Sequence, residues 1–207
     1  MGRHGTVIAR LPALGASYLV GALPFSNLVA RGARGVDLRT VATGTVSGTN
    51  LYRVAGFGPL VVGGVLDVAK GAVGPLLAGR DHPVAGALAA GLAVAGHNWS
   101  PYLGGAGGRG VSPAMGALLV VAPPGAAVLL GGLALGRLAR HTAPATLVAQ
   151  LGLVPLLAAT RGRNGALAGA CVLVPMLAKR LLGNTAPHLP AGRQVWRNRL
   201  LHDRDVR

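Results

Sequence analysis

Between two long apolar runs, residues 37–53 read "DLRTVATGTVSGTNLYR". Arg39 and Arg53 bracket a series of short hydroxyls, Thr43, Thr45, Ser47 and Thr49, with Gly44, Gly48 and Asn50 among them. Phosphates bind where backbone N–H groups, hydroxyls and arginines converge, because their oxygens are charged and accept several hydrogen bonds. Glycine lets the backbone turn toward such a ligand with no side chain in the way. The stretch is read as a phosphate-binding loop or as a solvated loop using Thr and Gly as turn residues. A second stretch of the same character, "AGHNWSPYLGGAGGRGVSP", runs from Ala95 to Pro113. His97 stands at the edge of an apolar run, Gly107, Gly108 and their neighbouring glycines surround Arg109, and Ser112 opens the next run. A glycine-rich turn carrying one cation into a helix N-terminus is an anion cradle in outline, and the same composition also serves flexible loops. A third feature, "LDVAKGAVG", sets Asp67 and Lys70 three residues apart, on one face of a helix. Ionisable groups inside an apolar run are costly and face a bundle interior or a water-filled site. They form an ion pair that locks helix packing, or Lys70 completes a phosphate site.

The elements that must position these groups are membrane spans. Of 207 residues, 51% are hydrophobic and 12% charged, against roughly 25% charged in soluble domains. A water-soluble protein needs a charged shell that this composition does not supply, so the expectation is an all-α polytopic membrane protein. About seven short spans are read, near 11–30, 56–78, 82–95, 111–122, 125–138, 142–159 and 165–182. The fourth is short and stands as a half-span or fuses with the fifth. The spans are rich in Gly and Ala, which suits close helix approach in lipid. Residues 1–190 are expected to form the membrane domain and 191–207 a basic tail, either a short helix on the membrane surface or a disordered charged segment. "MGRHGTVIAR" lacks a cleavage site after a clean apolar core and is read as retained.

Charge sets the orientation and the partners. The net charge is +15, there is no Glu, and the aromatic share is 3%. With arginines placed between apolar runs, the excess points to anionic head groups or an anionic substrate and away from nucleic acid. Seven spans would put 14 Lys and Arg on one side and 5 on the other, with Lys70 inside a span. The positive-inside rule then makes the C-terminus cytoplasmic, the N-terminus outside, and both polar loops cytoplasmic. Cys171 is the one cysteine, so no intramolecular disulfide and no cysteine-based metal site are expected.

Five stretches in order carry a specific resemblance: "GALPFSNLVAR" (Gly21–Arg31), the Asp37–Arg53 loop, Asp67–Gly71, Gly96–Pro113 and "KRLLGNTA" (Lys179–Ala186). Together, from about Gly21 to His188, they resemble the bacterial membrane acyl-phosphate:glycerol-3-phosphate acyltransferase family, the PlsY type. The resemblance implies transfer of a fatty acyl group from acyl phosphate to the sn-1 hydroxyl of glycerol 3-phosphate. The products would be lysophosphatidic acid, for phospholipid synthesis, and phosphate. It implies a cytoplasmic-side site in the bacterial inner membrane and neither metal nor other cofactor, because acyl phosphate is already activated. Carried over residue by residue, the catalytic set would be Thr43, Thr49, Arg53 and His97, with Arg53 binding phosphate and Thr49 donating to it. Arg39, Gly44, Asn50, Lys70, Gly107, Gly108, Arg109 and Ser112 would hold substrate phosphate.

The departures from the family's pattern are specific. Thr43 and Thr45 stand where the family has Ser and Asn, Arg109 where it has Lys, and Ala106 where it has a further Lys. Before the final Lys-Arg-Leu the family carries an Arg-His-x-Glu-Asn kind of sequence, and here Leu173–Leu177 reads "LVPML". His97 and His188 are the candidate substitutes. Two alternatives stay open at this point: a paralogue with altered or lost transfer activity, and a small anion or lipid-phosphate transporter. The spans' few polar residues, Asp67, Lys70 and Gln150, argue against a transport path.

Overall fold

The computed structural model describes residues 10–41, 44–184 and 193–202. Thr43 and His188 lie outside them. Nine α-helices and no strand occur among the described residues: α1 (Leu11–Gly21), α2 (Phe25–Arg34), α3 (Gly48–Ala55), α4 (Phe57–Ala78), α5 (Pro83–Asn98), α6 (Val111–Val121), α7 (Pro123–Leu138), α8 (Thr142–Leu182) and α9 (Arg193–Arg197). Three stretches, Leu11–Arg34, Phe57–Ala78 and Thr142–Leu182, are long and apolar enough to cross a membrane. Large apolar side chains such as Phe57, Leu135, Leu138, Val148 and Val174 face outward, as lipid-facing residues do in a bundle whose solvent is hydrocarbon.

The first apolar stretch is not one helix. Pro24 has no N–H to continue the ladder, and the chain breaks between α1 and α2. The break leaves carbonyls inside the bundle that need donors. Ser100 Oγ donates to Ala22 O at 2.7 Å, and Lys70 Nζ donates to Leu23 O.

A straight helix the length of α8 would be about 60 Å long. Yet Arg180, near its end, donates to Ala143 O, near its start, at 2.6 Å. The backbone turns at Gly162 (φ 61°, ψ −151°), a region open to little besides glycine. Limbs 142–161 and 163–182 therefore fold back on each other, close to the two segments expected there. α6 and α7 are likewise separate, with the chain extended at Ala122 (φ −157°, ψ 72°) ahead of Pro123 and Pro124.

Small residues bring the helices into backbone contact. A side chain at Gly21 would strike Ala93, at Gly71 Pro113, at Gly74 Ser17, and at Gly116 Val68. The main core lies among α5, α6, α7 and α8, around Val94, Leu118, Leu129, Leu153, Leu157, Val172 and Met176. A smaller one, Leu38, Val46, Leu51 and Leu103, supports the first polar loop.

That loop departs from the expectation in one respect. Its second half is helical, because Ser47 caps α3 by accepting from the Asn50 N–H at 3.4 Å. Gly56, at φ 86°, ends it. The tail residues 193–202 form α9 and a following π turn, and Arg199 is buried against the end of α8, donating to Leu181 O and Leu182 O at 2.9 and 2.7 Å.

Candidate active site

Both polar loops meet at one end of the bundle. The Val46 N–H donates to Gly107 O at 3.2 Å, and Arg39 donates to Leu103 O at 3.3 Å. Arg137 stacks over Tyr52, 5.6 Å from the ring centre, at the same end. Arg10 and His82, in contact at 2.9 Å, mark the opposite end.

Beneath the loops is a small polar cavity lined by the α1–α2 break, Ser26, Val46, Asp67, Lys70, His97, Ser100, Leu103 and Gly107. α4 contributes Asp67 and Lys70, α5 contributes His97, and α2 contributes Ser26. Ser26 Oγ donates to Asp67 Oδ2 at 2.6 Å, and Lys70 Nζ stands 2.8 Å from Asp67 Oδ1. His97 Nδ1 lies 3.9 Å from the same Oδ1. Lys70 also sits 5.8 Å from the centre of the Phe25 ring. The two readings of the Asp67–Lys70 pair are thus compatible: it is a buried ion pair that also faces a cavity.

The second loop is pressed onto His97. A Cβ on Gly107 would run into the His97 and Asn98 carbonyls, and one on Gly108 would meet the His97 ring and lie 2.6 Å from Val46 O. The Gly108 N–H donates to His97 O at 3.2 Å. These glycines are required by close approach, whereas Gly104, Gly105 and Gly110 serve positive φ values of 65°, 83° and 78°.

The other expected site residues are spread around this centre. Thr49 and Arg53 lie exposed on α3. Arg39 is exposed and donates to Asp37 from Nε and Nη2, the latter at 2.7 Å, with Arg31 at 3.3 Å from the same carboxyl. These contacts, Arg39's hydrogen bond first, hold the Asp37 carboxyl down at about 2. Gly44 has φ 66°, and its carbonyl accepts from Asn184. Asn50 is buried and uses its amide on Thr45 O at 2.8 Å, bracing the loop from inside. Arg109 is turned inward, donating to Lys179 O at 2.6 Å. Ser112 is half-buried in the first turn of α6.

Several residues were not singled out from the sequence. Ser26 and Ser100 sit in the cavity, Lys179 is buried beside the second loop over Trp99 (5.3 Å to the ring centre), and Asn184 bonds both loops. A signal for Ser26 existed: a carboxylate in an apolar run requires donors, and a hydroxyl in a neighbouring span is one. At the position where "LVPML" lacks polar side chains, Asn98 of α5 reaches across to donate to Pro175 O at 2.7 Å.

Known proteins resemble this chain in sequence and in fold. The family profile described as glycerol-3-phosphate acyltransferase matches residues 11–185. A glycerol-3-phosphate acyltransferase of Synechococcus sp. (strain CC9902) is 35% identical over 195 residues, covering 88% of this chain and 96% of that protein. Glycerol-3-phosphate acyltransferase 1 of Deinococcus radiodurans is 42% identical over 119 residues, 56% of this chain and 59% of that protein. Among solved structures, the integral membrane glycerol 3-phosphate acyltransferase PlsY (YgiH) in its glycerol 3-phosphate form superposes with a TM-score of 0.77 at 25% identity. The match covers 96% of this chain and 95% of that one. Its lysophosphatidic acid form, at 22% identity and a TM-score of 0.75, agrees in fold.

Proposed function

This chain belongs to the glycerol-3-phosphate acyltransferase family, and from that premise we propose how its residues divide the work. The protein is an integral membrane enzyme that transfers a fatty acyl group to glycerol 3-phosphate, giving lysophosphatidic acid for phospholipid synthesis. The donor is acyl phosphate. The sn-1 hydroxyl attacks the acyl carbonyl carbon, the new ester C–O bond forms, and the bond to phosphate breaks. The hydroxyl proton leaves with a base, and phosphate departs with the electron pair.

Such a donor is already activated, so the protein's task is placement and charge stabilisation. Arg53 and Thr49 on α3, with Thr43 and Gly44, hold one phosphate at the mouth of the site, and Arg39, with Asn50 bracing the loop, supports them. Lys70, with the Gly107–Gly108 backbone, stabilises the departing phosphate. Arg109 and Ser112 fix the second loop and the start of α6. His97 is the base: it lines the cavity, with Asp67 Oδ1 3.9 Å from its Nδ1. The observation that carries this reading is the convergence of Lys70, His97 and Gly107 on one polar cavity beneath both loops.

The finer topology follows the same reasoning. Seven segments cross the membrane, counting the two limbs of α8 separately and α1–α2 as one broken span. The N-terminus is outside, and the loop end faces the cytoplasm across a bacterial inner membrane, because that end collects most of the arginines. Residues 1–190 form the acyltransferase domain and 191–207 a basic cytoplasmic tail.

The test supplies palmitoyl phosphate and glycerol 3-phosphate to the protein in detergent or lipid and follows phosphate release, with acyl-CoA as the control donor. Release that depends on glycerol 3-phosphate is expected. Activity with acyl-CoA alone would overturn the donor assignment, and silence from folded protein would overturn the function.

A further inference from the structure

Asn184 follows Gly183, which ends α8 at φ 67° and turns the chain back over the loops. Its side-chain amide pairs with the Gly107 peptide much as a neighbouring strand would. Oδ1 accepts from the Gly107 N–H at 3.1 Å, and Nδ2 donates to Gly107 O at 2.9 Å. Nδ2 also donates to Gly44 O, at 3.2 Å, in the first loop. One side chain therefore bonds both glycine-rich loops.

The consequences reach the cavity in one step. Gly107 O also takes the Val46 N–H at 3.2 Å, so the loops share this peptide as their junction. Gly107 lines the cavity, and the next residue, Gly108, donates to His97 O. The end of α8 holds the second loop elsewhere too: Lys179 O accepts from Arg109, and Lys179 Nζ donates to Gly105 O at 3.3 Å.

We propose that Asn184 is a positioning residue that sets the two glycine-rich loops in register over the polar cavity; its kinetic consequence rests on the acyltransferase reading above. The chemistry demands an amide at this position. It must accept from one N–H and donate to two carbonyls at once, which an amide can do and an ionised carboxylate cannot.

The isosteric pair of variants separates this role from packing. Asn184→Asp keeps the shape but sets negative charge against the carbonyls of Gly107 and Gly44, whereas Asn184→Ala only removes the bonds. Expected kcat/KM for glycerol 3-phosphate falls about 10-fold in Asn184→Ala and about 100-fold in Asn184→Asp, because a misplaced cradle costs transition-state contacts. Most of the loss is expected in KM. Hydrogen exchange without substrate should quicken at residues 44–50 and 104–110 in both variants and stay unchanged in the middle of α4. Asn184→Asp matching the wild type while Asn184→Ala fails would show packing alone. Unchanged exchange, or faster exchange with unchanged kinetics, would also overturn the proposal. If the wild type does not acylate glycerol 3-phosphate, the acyltransferase reading falls, and the exchange measurement still decides the clamp.

Discussion

Asp67 and Lys70 face each other across 2.8 Å inside the bundle, their side chains 3% and 1% exposed. The pair is held on both sides, by the Ser26 hydroxyl on the carboxylate and by the Leu23 carbonyl on the ammonium. The kink at Pro24 thus supplies a ligand to the cation of another helix, and the break in the first span and the charge in the second explain each other.

Removing one partner leaves the other charge buried and alone, which costs about 3–5 kcal/mol. Lys70→Met and Asp67→Asn are each expected to lower the unfolding midpoint in detergent markedly. The double variant should regain most of that stability, since an apolar or neutral pair avoids the desolvation cost, yet remain inactive. Restored activity in the double variant would make the pair purely structural. Midpoints and acyl transfer measured on the same three proteins decide it.

Gly107→Ala should fail to accumulate as folded protein, because the new methyl collides with two backbone carbonyls that cannot move aside. Gly15 in α1 has nothing within 4 Å of its Cβ position, so Gly15→Ala should be neutral or stabilising by about 0.5–1 kcal/mol. Expression and thermal unfolding of the two, side by side, test whether close approach is what demands glycine at residue 107.

Arg53 and Thr49 are exposed on α3, so their loss should be felt by substrate and not by the fold. Arg53→Ala is expected to raise KM for glycerol 3-phosphate about 10-fold or more and to lower kcat, since a charged phosphate contact is worth about 1.5–3 kcal/mol. Its stability should stay within about 0.5 kcal/mol of the wild type. Arg53→Lys should recover part of the loss, keeping the charge but not the planar fork. Kinetics of Arg53→Ala identical to those of the wild type would remove this residue from the site.

The Asp37 carboxyl titrates at about 2 in the fold, against an ordinary 3.8, chiefly through the hydrogen bond from Arg39. The unfolded chain therefore takes up this proton first as pH falls. The stabilisation is complete above about 3.8 and is lost as pH drops to about 2. Asp37→Asn, which cannot ionise, should be less stable than the wild type at neutral pH, and the difference should shrink across that window. Unfolding midpoints of both proteins from pH 5 down to pH 2 provide the check.

Where the helices lie was largely legible in the residues alone. Apolar runs and the polar breaks between them act within a few neighbours, and hydropathy is a local quantity. The helical second half of the first loop was not read, although Ser47 is a local cap signal, because Gly48 and the hydroxyls around it suit a loop equally well. The resemblance carried by the loops and by Asp67–Gly71 gave the reaction and named the residues proposed for it. Their arrangement was another matter. That Lys70 would reach the Leu23 carbonyl, that Arg109 would turn inward to Lys179, and that Asn184 would join Gly44 to Gly107 depend on how distant helices cross. Those crossings are set by glycine-to-backbone contacts such as Gly71 on Pro113 and Gly116 on Val68. Composition by itself determined that this chain belongs in lipid, and its motifs which chemistry it carries. Only the packing of the bundle decided which distant polar groups meet, because in a medium without water each must be satisfied within the protein, and groups such as Ser26, Ser100 and Asn98 find their partners on other helices or loops.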